Sequence, residues 1–139
     1  MRGVGPLELQ PEWGHDMSVF AQGLVTILIC NAVFGLISLP LIFRKVPPNP
    51  VYGYRTRVTL SDEALWYKVN AYFGLRFLLS SLVSACIAVA LFEWQGLSPQ
   101  AYLPVSVGLL LAPVMVAGLL TSRFVRVIRG GRQPSNGGR

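Results

Sequence analysis

Three stretches without a single charged residue constrain this chain more than anything else in it. They cover positions 17–43, 77–92 and 95–122, that is 27, 16 and 28 consecutive residues. The hydrocarbon of a bilayer, about 30 Å thick, is crossed by about 20 helical residues rising 1.5 Å each. The first and third stretches suffice by themselves. The second reaches only about 24 Å at that rise and draws on 71–76 to complete a crossing. Charged residues make up 13% of the 139 residues and hydrophobic ones 53%, whereas a water-soluble domain carries about 25% charge. The chain therefore reads as an all-α integral membrane protein with three transmembrane helices.

The first stretch does not read as a cleaved leader. A secretory signal has a basic start and an apolar core of about 7–15 residues. Here Glu8, Glu12 and Asp16 precede the run against a lone Arg2, and the run is longer. Lysine and arginine set the orientation, because they are retained on the cytoplasmic side. Arg44, Lys45, Arg55, Arg57 and Lys68 fall between the first two spans, and Arg123, Arg126, Arg129, Arg132 and Arg139 follow the third. The segment between the second and third spans has none. This predicts an extracytoplasmic N-terminus, a cytoplasmic first loop and a cytoplasmic C-terminus. The net charge of +6 follows from that topology and calls for no nucleic-acid partner.

The expected layout is an extracytoplasmic tail at 1–16 with Trp13 as an interfacial anchor, then a first span at 17–43. A cytoplasmic loop at 44–60 leads to a helix at 61–94 that starts in the cytoplasm and runs on as the second span. An extracytoplasmic loop at 95–101, a third span at 102–124 and a basic cytoplasmic tail at 125–139, expected to be disordered over 130–139, complete the chain. Pro40 and Pro113 each remove a helix hydrogen bond, to Leu36 and Leu109, and are expected to bend their spans. Asn31, an amide in hydrocarbon, is expected to bond to a neighbouring helix. Arg76 is expected to reach back to the interface, and the basic tail to attract anionic lipid. Cys30 and Cys86 read as small apolar fillers. His15, the single histidine, lacks partners at metal-ligand spacing, so neither a metal nor a cofactor is expected.

The segment PPNPVYGYRTRVTLSDEALWYKVN (47–70) is the polar exception. Pro47, Pro48 and Pro50 force an extended entry, and Gly53 suits a turn with positive φ. Thr59 or Ser61 is the expected helix N-cap, with Thr59 and Asp62 at capping-box spacing. Beyond it Trp66, Asn70, Gly74 and Phe77 share one helix face. Ser80, Ser84 and Ala88 continue at spacing suited to close helix packing.

Taken in order, Lys45, Pro47, Pro48, Asn49, Tyr52, Gly53, Tyr54, Arg55, Thr56, Thr59, Leu60, Trp66 and Asn70 resemble the signature of the SdpI family of small bacterial membrane proteins, here in a short three-span form. Gly74 extends the likeness. The fuller proteins of that family carry an additional N-terminal membrane module. The resemblance implies immunity to a secreted peptide toxin and capture of a transcriptional repressor at the membrane. It makes Asn49, Tyr52, Gly53, Tyr54, Arg55, Thr56, Thr59, Leu60, Trp66 and Asn70 the candidate partner-binding motif.

Two physical readings of the motif stand side by side. In one, Arg55, Arg57, Thr56 and Thr59 bind an anion before a helix N-terminus, an end that Asp62 and Glu63 already neutralise. In the other, Arg55 lies over Tyr52, Tyr54 or Trp66, and Asn49 and Asn70 satisfy backbone groups, so that the loop folds as a docking platform. The expected partners are the bilayer, a peptide toxin or cytoplasmic regulator, or the subunits of a larger membrane complex. Catalysis is not expected, because the spans hold no carboxylate and the chain has no nucleophile–histidine set.

Overall fold

The computed structural model describes residues 18–94 and 96–131. The expectations for the N-terminal tail, Trp13 and the last eight residues lie outside that range. Four helices form: α1 (Val19–Ile42), the short α2 (Arg57–Ser61), α3 (Glu63–Trp94) and α4 (Pro99–Gly130). Of these, α1, α3 and α4 are long and apolar enough to cross a membrane. α3 is the central element, with α1 and α4 packed along it and touching each other less.

The bundle buries small and polar side chains and turns large apolar ones outward. Ser38, Ser81, Ser84 and Thr121 are buried, while Leu36, Leu82, Leu111 and Met115 are more than half exposed. Lipid is as apolar as leucine, so the helices gain by close approach and hydrogen bonding, not by hiding leucines. Ser38, Ser81 and Thr121 donate to the carbonyls of Phe34, Phe77 and Ala117 within their own helices, which removes the cost of burying their hydroxyls. The backbones of α1 and α3 approach closely at Gly74, where a Cβ would stand 3.0 Å from both the Ser38 carbonyl oxygen and Leu41 Cβ. Phe34 and Phe77 pack at 5.1 Å between centroids just beyond it.

Each helix end has its own local cause. Ser18 caps α1 by accepting from Ala21 N–H, and Ser98 does the same for α4 through Ala101 N–H. α1 runs only two residues past Pro40. There Arg44 N–H bonds to the Leu41 carbonyl and Lys45 N–H to the Pro40 carbonyl, the paired bonds of a Schellman stop. Arg44 occupies its left-handed position at φ 56°, where glycine is the usual residue.

Three expectations change. The helix expected over 61–94 is α3, which starts two residues later, and the loop expected over 44–60 holds most of a separate short helix, α2. Thr56 is extended and forms a reciprocal capping box with Thr59, which starts α2. Asp62 is then extended again and caps α3 by accepting from Leu65 N–H at 2.9 Å. Residues 125–130, expected as tail, continue α4. Val125 forms a buried cluster with Leu65 and Val69, and Ile128, Tyr54 and Val58 pack against that cluster, so apolar contacts hold the helix together past the bilayer-spanning length. Finally, Asn31 is buried but donates to the Ile27 carbonyl of its own helix, and its Oδ1 bonds to none of the described residues.

α4 shows how a proline defect is repaired. Pro113 has no N–H for the Leu109 carbonyl. Ser84 of α3 supplies the donor instead, with its hydroxyl 2.5 Å from that oxygen. At the other end of the bundle, Tyr102 of α4 ties down α1. Its hydroxyl donates to the Phe20 carbonyl at 2.9 Å, and its ring meets Phe20 edge to face at 4.9 Å.

Candidate functional site

The loop between α1 and α3 is an ordered structure folded onto two helices. Its extended entry is set by the prolines, and Asn49 makes the first turn. Asn49 Oδ1 accepts from the backbone N–H of Val51 and Tyr52 at 3.0 and 2.7 Å, and its amide donates to the Pro47 carbonyl. The Arg55 guanidinium donates to the Pro50 carbonyl across the same turn. This replaces the ring contact with Tyr52, Tyr54 or Trp66 expected of Arg55: the unpaired carbonyl of a proline-rich turn is a stronger attractor than a ring face.

α3 anchors the loop from below with two side chains one turn apart. The Trp66 indole N–H donates to the Val46 carbonyl at 2.9 Å, and the ring is fully buried. Asn70 Oδ1 accepts from Tyr54 N–H at 2.6 Å, and its amide donates to the Trp66 and Tyr54 carbonyls at 3.1 and 3.4 Å. Gly53 is needed twice over here. Its φ is +103°, and any Cβ would collide with Asn70 Oδ1. Thr59, fully buried, accepts from Thr56 N–H and donates among the Tyr54 and Thr56 carbonyls. Tyr54 itself packs on Phe73 at 6.0 Å and joins the cluster of Leu65, Val69 and Val125.

The candidate residues thus divide by direction. Asn49, Gly53, Tyr54, Thr56, Thr59, Trp66 and Asn70 hold the loop together. Arg55 and Leu60 reach the surface, and so does Val51, 81% exposed, which the sequence reading passed over. Tyr52 is half-buried, with its hydroxyl enclosed and bonded to none of the described residues. Burial pushes its phenol above the usual pKa, because a phenolate there would lose its water.

Charge gathers at this end of the bundle. Arg44, Lys45, Arg55, Arg57, Lys68, Arg123, Arg126 and Arg129 are all exposed there, because the end of α4, through Val125 and Ile128, and the loop, through Tyr54 and Val58, share one apolar cluster with Leu65 and Val69. Asp62 and Glu63 are the carboxylates at the same end among the described residues. Arg57 and the three arginines of α4 lie outside the candidate motif, although their charge and the i, i+3 spacing of 123, 126 and 129 were visible in the sequence.

Three apolar helices around a small-residue interior, closed at one end by a folded basic loop, define a small helical integral membrane protein. The chain belongs to the SdpI/YfhL protein family, whose sequence model matches residues 45–122. It is also similar to the uncharacterized protein YfhL of Bacillus subtilis (strain 168), with 39% identity over 59 residues, covering 40% of this chain and 54% of that protein. The chain therefore spans about half the length of the curated relative it matches. No solved structure matches it.

Proposed function

We propose that this protein acts by binding, with the loop-bearing end of the bundle as its docking surface on the cytoplasmic side of a bacterial inner membrane. The positive-inside rule supports that orientation, since the exposed cations lie at the loop end and the α3–α4 connection has none. The resemblance to the family supports a partner class. It is a secreted peptide toxin, in an immunity role, or a regulator held at the membrane.

The observation that carries this reading is the division of labour within the motif. Its asparagines, threonines and tryptophan turn inward and build a rigid support, leaving Val51, Arg55, Arg57 and Leu60 on the outside. A pre-ordered surface binds without the entropy cost of ordering a loop. The basic surround favours an acidic partner and speeds encounter with it. No chemical step is needed for such a role.

The test is toxin survival or regulator retention in cells making the Arg55→Ala/Arg57→Ala variant. Normal insertion with loss of the biological effect is expected. Full effect in the double variant would remove this surface from the mechanism. A second reading, an accessory subunit of a membrane complex, is favoured by Gly108 and Gly118 of α4, beyond whose Cα atoms the bundle leaves open space. Co-purification in fixed ratio with other subunits is the result that would favour it.

A further inference from the structure

Apolar clefts indent the bundle between α1 and α4 and between α3 and α4, and the second carries a cation. The α3–α4 cleft is a cavity of about 370 Å³, lined by Leu79, Val83, Ile87, Ala112 and Val116 among others, with Arg76 at one end. Its floor is hollow because small residues lie there, Ser80 and Ser84 on α3 and Ala112 on α4. The two hydroxyls are already engaged, Ser80 with the Arg76 carbonyl at 2.7 Å and Ser84 with the Leu109 carbonyl. The cleft wall is therefore apolar in effect.

Arg76 is the unusual member. Its guanidinium lies over the Tyr72 ring, 4.9 Å from the centroid, and Tyr72 in turn stacks on Phe124 of α4 at 4.2 Å. Tyr72 is one turn nearer the loop, so the charge is drawn toward that end. The Arg76 Nε is enclosed and bonded to none of the described residues. No carboxylate of α3 is in reach: Glu63 and Glu93 are 13 and 17 residues away, about 20 and 26 Å along the helix. Arg123 precedes the stacked Phe124 and is exposed, so a second cation stands at the same level.

Depth gives the cleft its meaning. Trp94 ends α3 and is 68% exposed, as an interfacial tryptophan is. Counting back the roughly 20 residues that cross the hydrocarbon arrives at Leu75. Arg76 therefore stands at the headgroup boundary of the loop-side leaflet. From Arg76 to Ile87 on α3, and from Leu120 to Leu109 on α4, the cleft runs 11 residues, about 16 Å. One leaflet of hydrocarbon is about 15 Å deep. A cation with no carboxylate of its own helix in reach, at the phosphate level above an apolar slot one leaflet deep, matches a particular kind of molecule.

We propose that the α3–α4 cleft is a binding site for an anionic phospholipid, with one acyl chain in the cleft and the headgroup phosphate on Arg76. The site is separate from the basic loop surface, and its occupancy is independent of any partner bound there. Arginine suits the task, since its planar fork matches phosphate oxygens and remains charged at an interface. A filled slot also completes the packing of α4 on α3 around the Ser84–Leu109 bond.

The test is native mass spectrometry of the full chain from micelles containing phosphatidylglycerol and phosphatidylcholine of equal chain length. The wild type is expected to retain phosphatidylglycerol preferentially. Arg76→Gln should lower that preference about fivefold, the equivalent of about 1 kcal/mol for one interfacial cation, and Arg76→Lys should keep most of it. Val116→Phe, at a position 43% exposed on the cleft, should reduce retention of phosphatidylglycerol by filling the slot without altering charge. Arg126→Gln/Arg129→Gln should leave the preference within about twofold. An unchanged preference in Arg76→Gln, unchanged retention in Val116→Phe, or loss of preference in the Arg126/Arg129 variant would each overturn the site. The last would assign the selectivity to general surface attraction. Should Arg76→Gln fail to fold, the Val116→Phe and Arg126/Arg129 outcomes decide alone.

Discussion

Asn70 connects sequence to structure most directly at the level of single residues. It is almost fully buried, and its amide serves three backbone groups, two of them belonging to Tyr54 sixteen residues away. Removing it strands the Tyr54 N–H away from water, at a cost of about 1–3 kcal/mol. Asn70→Ala is accordingly expected to loosen the loop while the spanning helices stay formed. Hydrogen exchange should show faster exchange at Tyr54 with little change in α1 and α4. Tyr52 predicts the opposite sign. Its hydroxyl is enclosed without a partner among the described residues, so Tyr52→Phe should be neutral or stabilising by up to about 1 kcal/mol in detergent thermal melts. Burial raises its phenol pKa, so the folded loop resists ionisation while the unfolded chain ionises near pH 10. The resulting contribution is present below that pH and declines as pH rises above it. Tyr52→Phe should remove that alkaline component of the pH–stability profile. The asparagine was singled out by its spacing from Trp66. The enclosure of the tyrosine was not visible, because nothing in a loop sequence says which aromatic turns inward.

Among the helices, prolines and their remedies dominate. Ser84 donates to the carbonyl that Pro113 leaves free, so the two residues act as a unit although they lie on different helices. Ser84→Ala should cost about 1–2 kcal/mol, because it leaves an unpaired carbonyl in an apolar setting. Making the same change in a Pro113→Ala background should cost distinctly less, since the α4 backbone then satisfies Leu109 itself. A double-mutant cycle on unfolding free energies measures that coupling, and additivity within error would refute it. The end of α1 offers a simpler case. Arg44 holds a left-handed conformation that costs a side-chain-bearing residue about 1–2 kcal/mol. Arg44→Gly should raise stability by up to about 1 kcal/mol after allowing for the freedom of glycine in the unfolded chain. The backbone carbonyl freed by Pro113 could be anticipated because proline acts locally. The serine that satisfies it could not, since that pairing depends on the relative height of two helices.

The three crossings at the scale of the whole molecule rest on the length of uncharged sequence, and the family match covers the loop and the last two of them. Leu60 is 44% exposed, so it offers a position to probe sidedness. Leu60→Cys, in a background with Cys30 and Cys86 replaced by alanine, is expected to react with an impermeant maleimide only after the cells are permeabilised. Labelling of intact cells would place the loop on the other side and invert the docking proposal. By itself, the sequence determined the number of apolar helices, the proline-stiffened entry to the loop, the positive φ at Gly53 and the common face of Trp66, Asn70 and Gly74. Each of these follows from local sterics or from helical period, which act over a few residues. Only the tertiary structure decided that α4 continues past its arginines and that Tyr102 ties α4 to α1. It also revealed the one-leaflet cleft beneath Arg76. Those features depend on which helix faces meet and at what height, and that is set by side chains far apart in the chain settling against one another.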